Sequence, residues 1–69
     1  MTFGAALRHF ISVNGISASE LSRRSGVSKQ YISQLMSGKI ADPTLNKAYA
    51  IARALNMKLQ DFVDYMDGE

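Results

Sequence analysis

Apolar positions along the chain fall into five clusters, each spaced three or four residues apart, separated by short polar or glycine-bearing stretches. Phe3, Ala6, Leu7, Phe10 and Ile11 make the first stripe, which Thr2 is placed to cap and Asn14-Gly15 to stop. Ser17 and Glu20 form an S-x-x-E capping box, so a second helix is expected from about Ala18, with Leu21 inward and Ser22 small enough for close packing. Gly26, lacking a Cβ, accepts the left-handed conformation of a tight helix exit, and Val27 fills the turn that follows. Ser28 can then cap a third helix that runs to Ser37 and ends at Gly38. There Ile32, Leu35 and Met36 face inward, while Lys29, Gln30, Ser33, Gln34 and Ser37 stay outside.

The stretch from Lys39 to Pro43 reads as irregular, because the proline drives Asp42 out of helical geometry. Thr44 can cap a fourth helix whose inward stripe is Leu45, Ala48, Tyr49, Ile51, Ala52 and Leu55, closed by Asn56. A fifth runs from about Leu59 to Met66, with Leu59, Phe62, Val63 and Met66 on one face. No strand-like alternation, internal repeat or interdomain linker occurs. The expected fold is all-α, a five-helix bundle in one domain spanning residues 1–69.

A helix, a short glycine-bearing turn and a second helix, spaced as from Ser17 to Gly38, is the outline of a helix-turn-helix, a unit that reads DNA. Charge agrees with it. Residues 1–40 hold Arg8, Arg23, Arg24, Lys29 and Lys39 against Glu20, a balance of +4; residues 41–69 hold Lys47, Arg53 and Lys58 against Asp42, Asp61, Asp64, Asp67 and Glu69, a balance of −2. The basic half suits a polyanion and contains the candidate reading unit.

Composition narrows the alternatives. With 69 residues and no cysteine, the chain has neither disulfide nor thiolate metal site to support a small core. No apolar run reaches a membrane span and no signal-peptide pattern is present, so a soluble cytoplasmic protein is expected. His9 has no second histidine or cysteine to join it, and Asp61, Asp64 and Asp67 read as a solubilising edge. No nucleophile has a base beside it and no glycine-rich phosphate loop occurs, so neither enzyme activity, metal, cofactor nor small-molecule ligand is expected. Met1 at the start and the polar Asp67-Gly68-Glu69 end suggest a whole protein rather than a fragment.

From Ile16 to Phe62 the chain resembles the phage repressor and Cro type of helix-turn-helix domain. The resemblance rests on S-x-S-E-L-S-R-R-S-G-V-S, then Y-I-S-Q-L-M-S-G-K, then D-P-T-L-N-K-A-Y-A-I-A-R-A-L-N-M. It implies a lambda-repressor-like five-helix bundle that binds double-stranded operator DNA as a symmetric homodimer, with helix three in the major groove. Departures are Ala18 where the family often has a glutamine, Ile11 and Met36 where many members pair an arginine with a glutamate, and Thr44 where some place an arginine after the proline. An ion pair replaced on both sides by apolar groups is compatible with a stable fold.

Carried onto this chain, the resemblance makes Gln30 and Gln34 the first candidates for reading bases, with Lys29, Ser33 and Tyr31 beside them. A glutamine amide offers the donor and acceptor that adenine presents in the major groove. Lys39, Ser37, Thr44, Ser28, Ser17 and Ser19 are the candidates for phosphate contact, which sets register. The surplus apolar residues Phe62, Val63, Tyr65 and Met66 mark the tail as the expected dimer surface. The leading reading is a transcription regulator, a repressor on a palindromic operator. The alternative is an antitoxin-type protein of the same fold whose main partner is a toxin.

Overall fold

The computed structural model describes residues 1–68; the part of the expected polar end that falls on Glu69 lies outside them. Five helices follow in order: α1 (Phe3–Asn14), α2 (Ala18–Ser25), α3 (Lys29–Ser37), α4 (Leu45–Ala54) and α5 (Leu59–Asp67). Among the described residues there is no strand.

The helix starts are set by short hydroxyl side chains. Thr2 Oγ1 accepts the Ala5 N–H, Ser17 Oγ that of Glu20, Ser28 Oγ that of Tyr31 and Thr44 Oγ1 that of Lys47, at 3.1–3.3 Å. Each satisfies one of the amides a helix leaves unpaired at its start. The box expected at α2 is only half formed. Glu20 does not return to the Ser17 amide, because its carboxylate is engaged by Arg23 and Arg24 one turn on. At α5 the complementary half occurs: Asp61 accepts the Lys58 N–H at 2.9 Å.

Helix ends use the left-handed backbone. The α1 exit is a Schellman motif: Gly15 (φ +67°) donates to Ser12 O and Ile16 N to Ile11 O. α4 ends in the same way with Asn56 (φ +57°) in the left-handed position, Asn56 N donating to Arg53 O and Met57 N to Ala52 O. Asparagine tolerates that conformation better than other residues with a Cβ.

The helices pack in a closed ring: α1 lies on α3, α3 on α2, α2 on α4, α4 on α5, and α5 back on α1. One cluster fills the ring, with Leu7, Leu21, Ile32, Leu35, Ile51 and Phe62 fully buried and Phe3, Val27, Ala48 and Leu55 nearly so. Phe62 stacks on Phe3 at 4.6 Å and packs obliquely on Phe10 at 4.8 Å; Tyr65 stacks on His9 at 4.5 Å. These contacts place Phe62 in the core and leave Val63, Tyr65 and Met66 partly exposed. Phe62 is wholly buried, and Tyr65 and Met66 pack partly buried against the core, so much of the tail's apolar surface covers α1. The α4 stripe needs a correction. Ala48, Ile51, Ala52 and Leu55 face inward, but Leu45 and Tyr49 do not: they are 73% and 54% exposed.

Gly4 has a role that the apolar pattern does not reveal. It is buried where α1 crosses α3, and a Cβ at this position would fall inside the Leu35 carbonyl group. The two helix backbones can approach this closely only because Gly4 has no side chain. Gly4→Ala gains about 1 kcal/mol of helix propensity. That gain is overridden by a backbone overlap that costs about 1–3 kcal/mol or more to relieve. We expect a net loss of about 1–2 kcal/mol, seen as a melting temperature lowered by roughly 5–10 °C. A variant melting at or above the parent temperature would show that α1 and α3 are not held this way.

Candidate nucleic-acid interface

The turn between α2 and α3 is held from both sides of one residue. Val27 is buried, its N–H donates to Ser25 Oγ at 3.1 Å, and its carbonyl accepts from Ser22 Oγ at 2.7 Å. Ser22, expected to serve as a small packing residue, acts instead as a hydrogen-bond clamp. With Gly26 in the left-handed region (φ +76°) ahead of it, this clamp sets the angle at which α3 leaves α2.

On α3 the inward side is Ile32 and Leu35, both fully buried, with Met36 half-buried. The outward side carries Lys29, Gln30 and Ser33, all exposed, and Gln34, half-buried. Gln30, Ser33 and Gln34 share a face by their i, i+3 and i+4 spacing. Neither glutamine amide has a hydrogen-bond partner among the described residues. Both amides therefore retain a donor and an acceptor for an incoming base edge.

Tyr31 is placed differently from these. It is half-buried, its hydroxyl oxygen accepts the Thr44 N–H at 3.3 Å, and the Lys47 ammonium lies over its ring at 5.1 Å. Its geometry braces the start of α4 against α3, leaving only its O–H proton to donate elsewhere. No signal in the sequence marks this contact, which spans thirteen residues of chain.

Among the phosphate candidates, Ser17, Ser28 and Thr44 are spent as acceptors in capping but keep a hydroxyl proton to donate. Beside each cap the first two helical amides (Ala18 and Ser19, Lys29 and Gln30, Leu45 and Asn46) have no partner within their helix. Such amides, with the positive end of the helix dipole, suit an anion. Ser19 and Lys39 are exposed. Ser37 is different: its hydroxyl donates to Gln34 O at 3.2 Å and accepts from Lys39 N at 3.4 Å, so it closes α3.

Arg23 and Arg24 fold back on Glu20. The signal for this was present as Glu at i with Arg at i+3 and i+4. The triad leaves a net +1 on the outer surface of α2, with Arg23 the more exposed arginine.

The chain matches the Helix-turn-helix family over residues 14–62. It belongs to that family. An uncharacterized HTH-type transcriptional regulator from Methanocaldococcus jannaschii is 32% identical over 91% of this chain and 94% of its own length. Another from Archaeoglobus fulgidus is 35% identical over 91% of this chain and 89% of its own. The crystal structure of the clp gene regulator ClgR from C. glutamicum superposes with a TM-score of 0.86 at 30% identity, over 96% of this chain and 84% of that one. The helix-turn-helix family is one of DNA-binding transcription regulators, not of enzymes. Among the described residues no helix is long and apolar enough to cross a membrane.

The Glu20 triad gives a pH dependence. The Arg24 hydrogen bond, with the Arg23 charge beside it, holds the Glu20 carboxyl below the ordinary glutamate range. A carboxylate lowered in the folded state adds stability above its unfolded pKa, and loses it as pH falls through the folded value. Glu20→Gln is expected to melt slightly below the parent at neutral pH and to converge with it once pH has fallen through the folded-state value of the carboxyl. Equal melting temperatures across that range would show that the triad adds nothing to the fold.

Proposed function

We propose that this chain is a repressor acting in the cytoplasm, which reads a palindromic operator as a homodimer with α3 in the major groove. The observation that carries it is the outer face of α3. Gln30, Ser33 and Gln34 form a polar, uncharged surface with unpartnered amides, backed by a fully buried Ile32 and Leu35. An uncharged face gains little from bulk phosphate, but it matches base-edge donors and acceptors, which differ for each base pair. The transcription-regulator names carried by the relatives support the same reading.

In this reading Gln30 and Gln34 contact bases, with Lys29 and Ser33 at the margins of the contact. Tyr31 contributes by fixing where α4 begins. Lys39, Ser19 and the hydroxyls of Ser17, Ser28 and Thr44 fall on phosphates to either side. A single copy with so few charged contacts binds weakly, and two copies spaced by one helical turn of DNA double the contacts. Repression follows if the bound operator overlaps a promoter.

Selection of binding sites from random duplex DNA tests the whole reading, because it reports preference, symmetry and half-site spacing together. A recovered inverted repeat with centres about 34 Å apart is the expected outcome. Recovery of unenriched sequence at low salt would sink the reading. On the selected site, Gln30→Ala should relax preference at one base pair of each half-site, at about 1–3 kcal/mol. Lys39→Ala should weaken all sequences alike and reduce the slope of log K against log salt by about 1 per half-site. Binding isotherms on matched and mismatched duplexes at several salt concentrations separate the two behaviours.

A further inference from the structure

The last turns of α2 and α4 border a hollow of about 290 Å³, lined by Arg24, Ser25, Ala50, Arg53 and Ala54. Ala50 and Ala54 lie one turn apart on α4, and side chains this short leave space open between the helices. The lining holds two guanidinium groups, one hydroxyl and no carboxylate. Arg24 donates its Nε–H to Glu20, which leaves both terminal nitrogens of its guanidinium for another acceptor. Arg53 has no ion-pair partner among the described residues, and its guanidinium rests over the Tyr49 ring at 5.8 Å. Ser25 Oγ accepts the Val27 N–H and keeps its proton to donate.

We propose that this hollow binds a small phosphate monoester. Charge supports it. The Glu20 triad contributes one net positive charge and Arg53 a second, and the negative ends of the two helices offset about one of these. The hollow is therefore positive, and its donors are all of the kind that oxyanions accept from. Guanidinium forks match phosphate oxygens in bidentate pairs, and these two come from different helices. A phosphate dianion answers both, whereas a carboxylate carries charge for one. Ala50 and Ala54 offer methyl groups to the apolar remainder of the ester. Both arginines are already placed, Arg24 by Glu20 and Arg53 by Tyr49, so little side-chain freedom is lost on binding. Volume keeps the ligand small, since pockets for small molecules run upward from about 300 Å³.

The site does not rest on the DNA-binding reading. Ser17 and Thr44 cap the starts of α2 and α4, whereas the hollow lies at the other ends, about 10–15 Å along each helix. It does adjoin the turn ahead of α3, because Ser25 also holds the Val27 amide. A ligand that takes the Ser25 proton leaves that bond in place.

NMR titration of the DNA-free protein tests the site, with inorganic phosphate, phenyl phosphate and acetate compared at constant ionic strength. Phenyl phosphate should shift the Ser25 and Ala54 amides and the Arg24 Nε–H saturably, with affinity about fivefold above that of inorganic phosphate. Acetate should be weaker than either. Arg53→Gln should weaken phenyl phosphate about tenfold. Arg8→Gln makes the same charge change on α1, outside the hollow, and should stay within about twofold of the parent. Ala50→Leu fills the hollow without altering charge and should abolish the shifts. Shifts that do not saturate, equal weakening in Arg8→Gln and Arg53→Gln, or binding retained in Ala50→Leu overturns the proposal. Equal affinity for phenyl and inorganic phosphate, or acetate binding as well as they do, overturns the assignment to an ester. Arg8 and Arg53 are both exposed, so that pair of variants decides the question even if Ala50→Leu unfolds.

Discussion

The structure depends on how closely α1 and α3 approach at Gly4. That contact presses the backbone of one helix onto the backbone of the other, with no side chain between them. Once the back of α3 is seated there, its rotation about its own axis is fixed. Ile32 and Leu35 must turn into the ring, and Gln30, Ser33 and Gln34 must turn out of it. The Ser22–Val27–Ser25 clamp and the Tyr31–Thr44 bond add restraint at the two ends of α3, the first through α2 and the second through α4. A helix held at its back and at both ends loses little freedom when it meets a ligand, which keeps the cost of binding low.

What could be read from the sequence was local. Four hydroxyl caps, three glycine exits and the Asn56 exit were legible, because the side chain that forms each one lies within a few residues of the backbone group it serves. The outward face of α3 was legible for the same reason, through simple helical periodicity. Contacts between elements distant in sequence were not. Gly4 inside an apolar helix reads only as a weak helix former, and its purpose appears only when Leu35 is brought beside it. The contact of Tyr31 with the Thr44 amide likewise depends on where a residue thirteen positions on comes to lie.

The two misjudged apolar sets share one cause. Periodicity marks a stripe but not its width. Leu45 and Tyr49 fit the α4 spacing as well as Ala48 and Ile51 do, yet α4 buries only one side because its neighbours α2 and α5 approach from there. At the tail the reverse error arose. Phe62, Tyr65 and Met66 looked like more apolar surface than a small core needs, but α1 offers Phe3, His9 and Phe10 as matching aromatic partners.

Stability and recognition meet in this packing. A ring closed by α5 on α1 spends the tail's aromatics on holding α1 in place, and α1 is the element that seats α3. The tail therefore reaches the reading face through two layers of packing, whereas the exposed side of α4 reaches it through one hydrogen bond. The start of α4 therefore meets α3 through a polar contact rather than through the core.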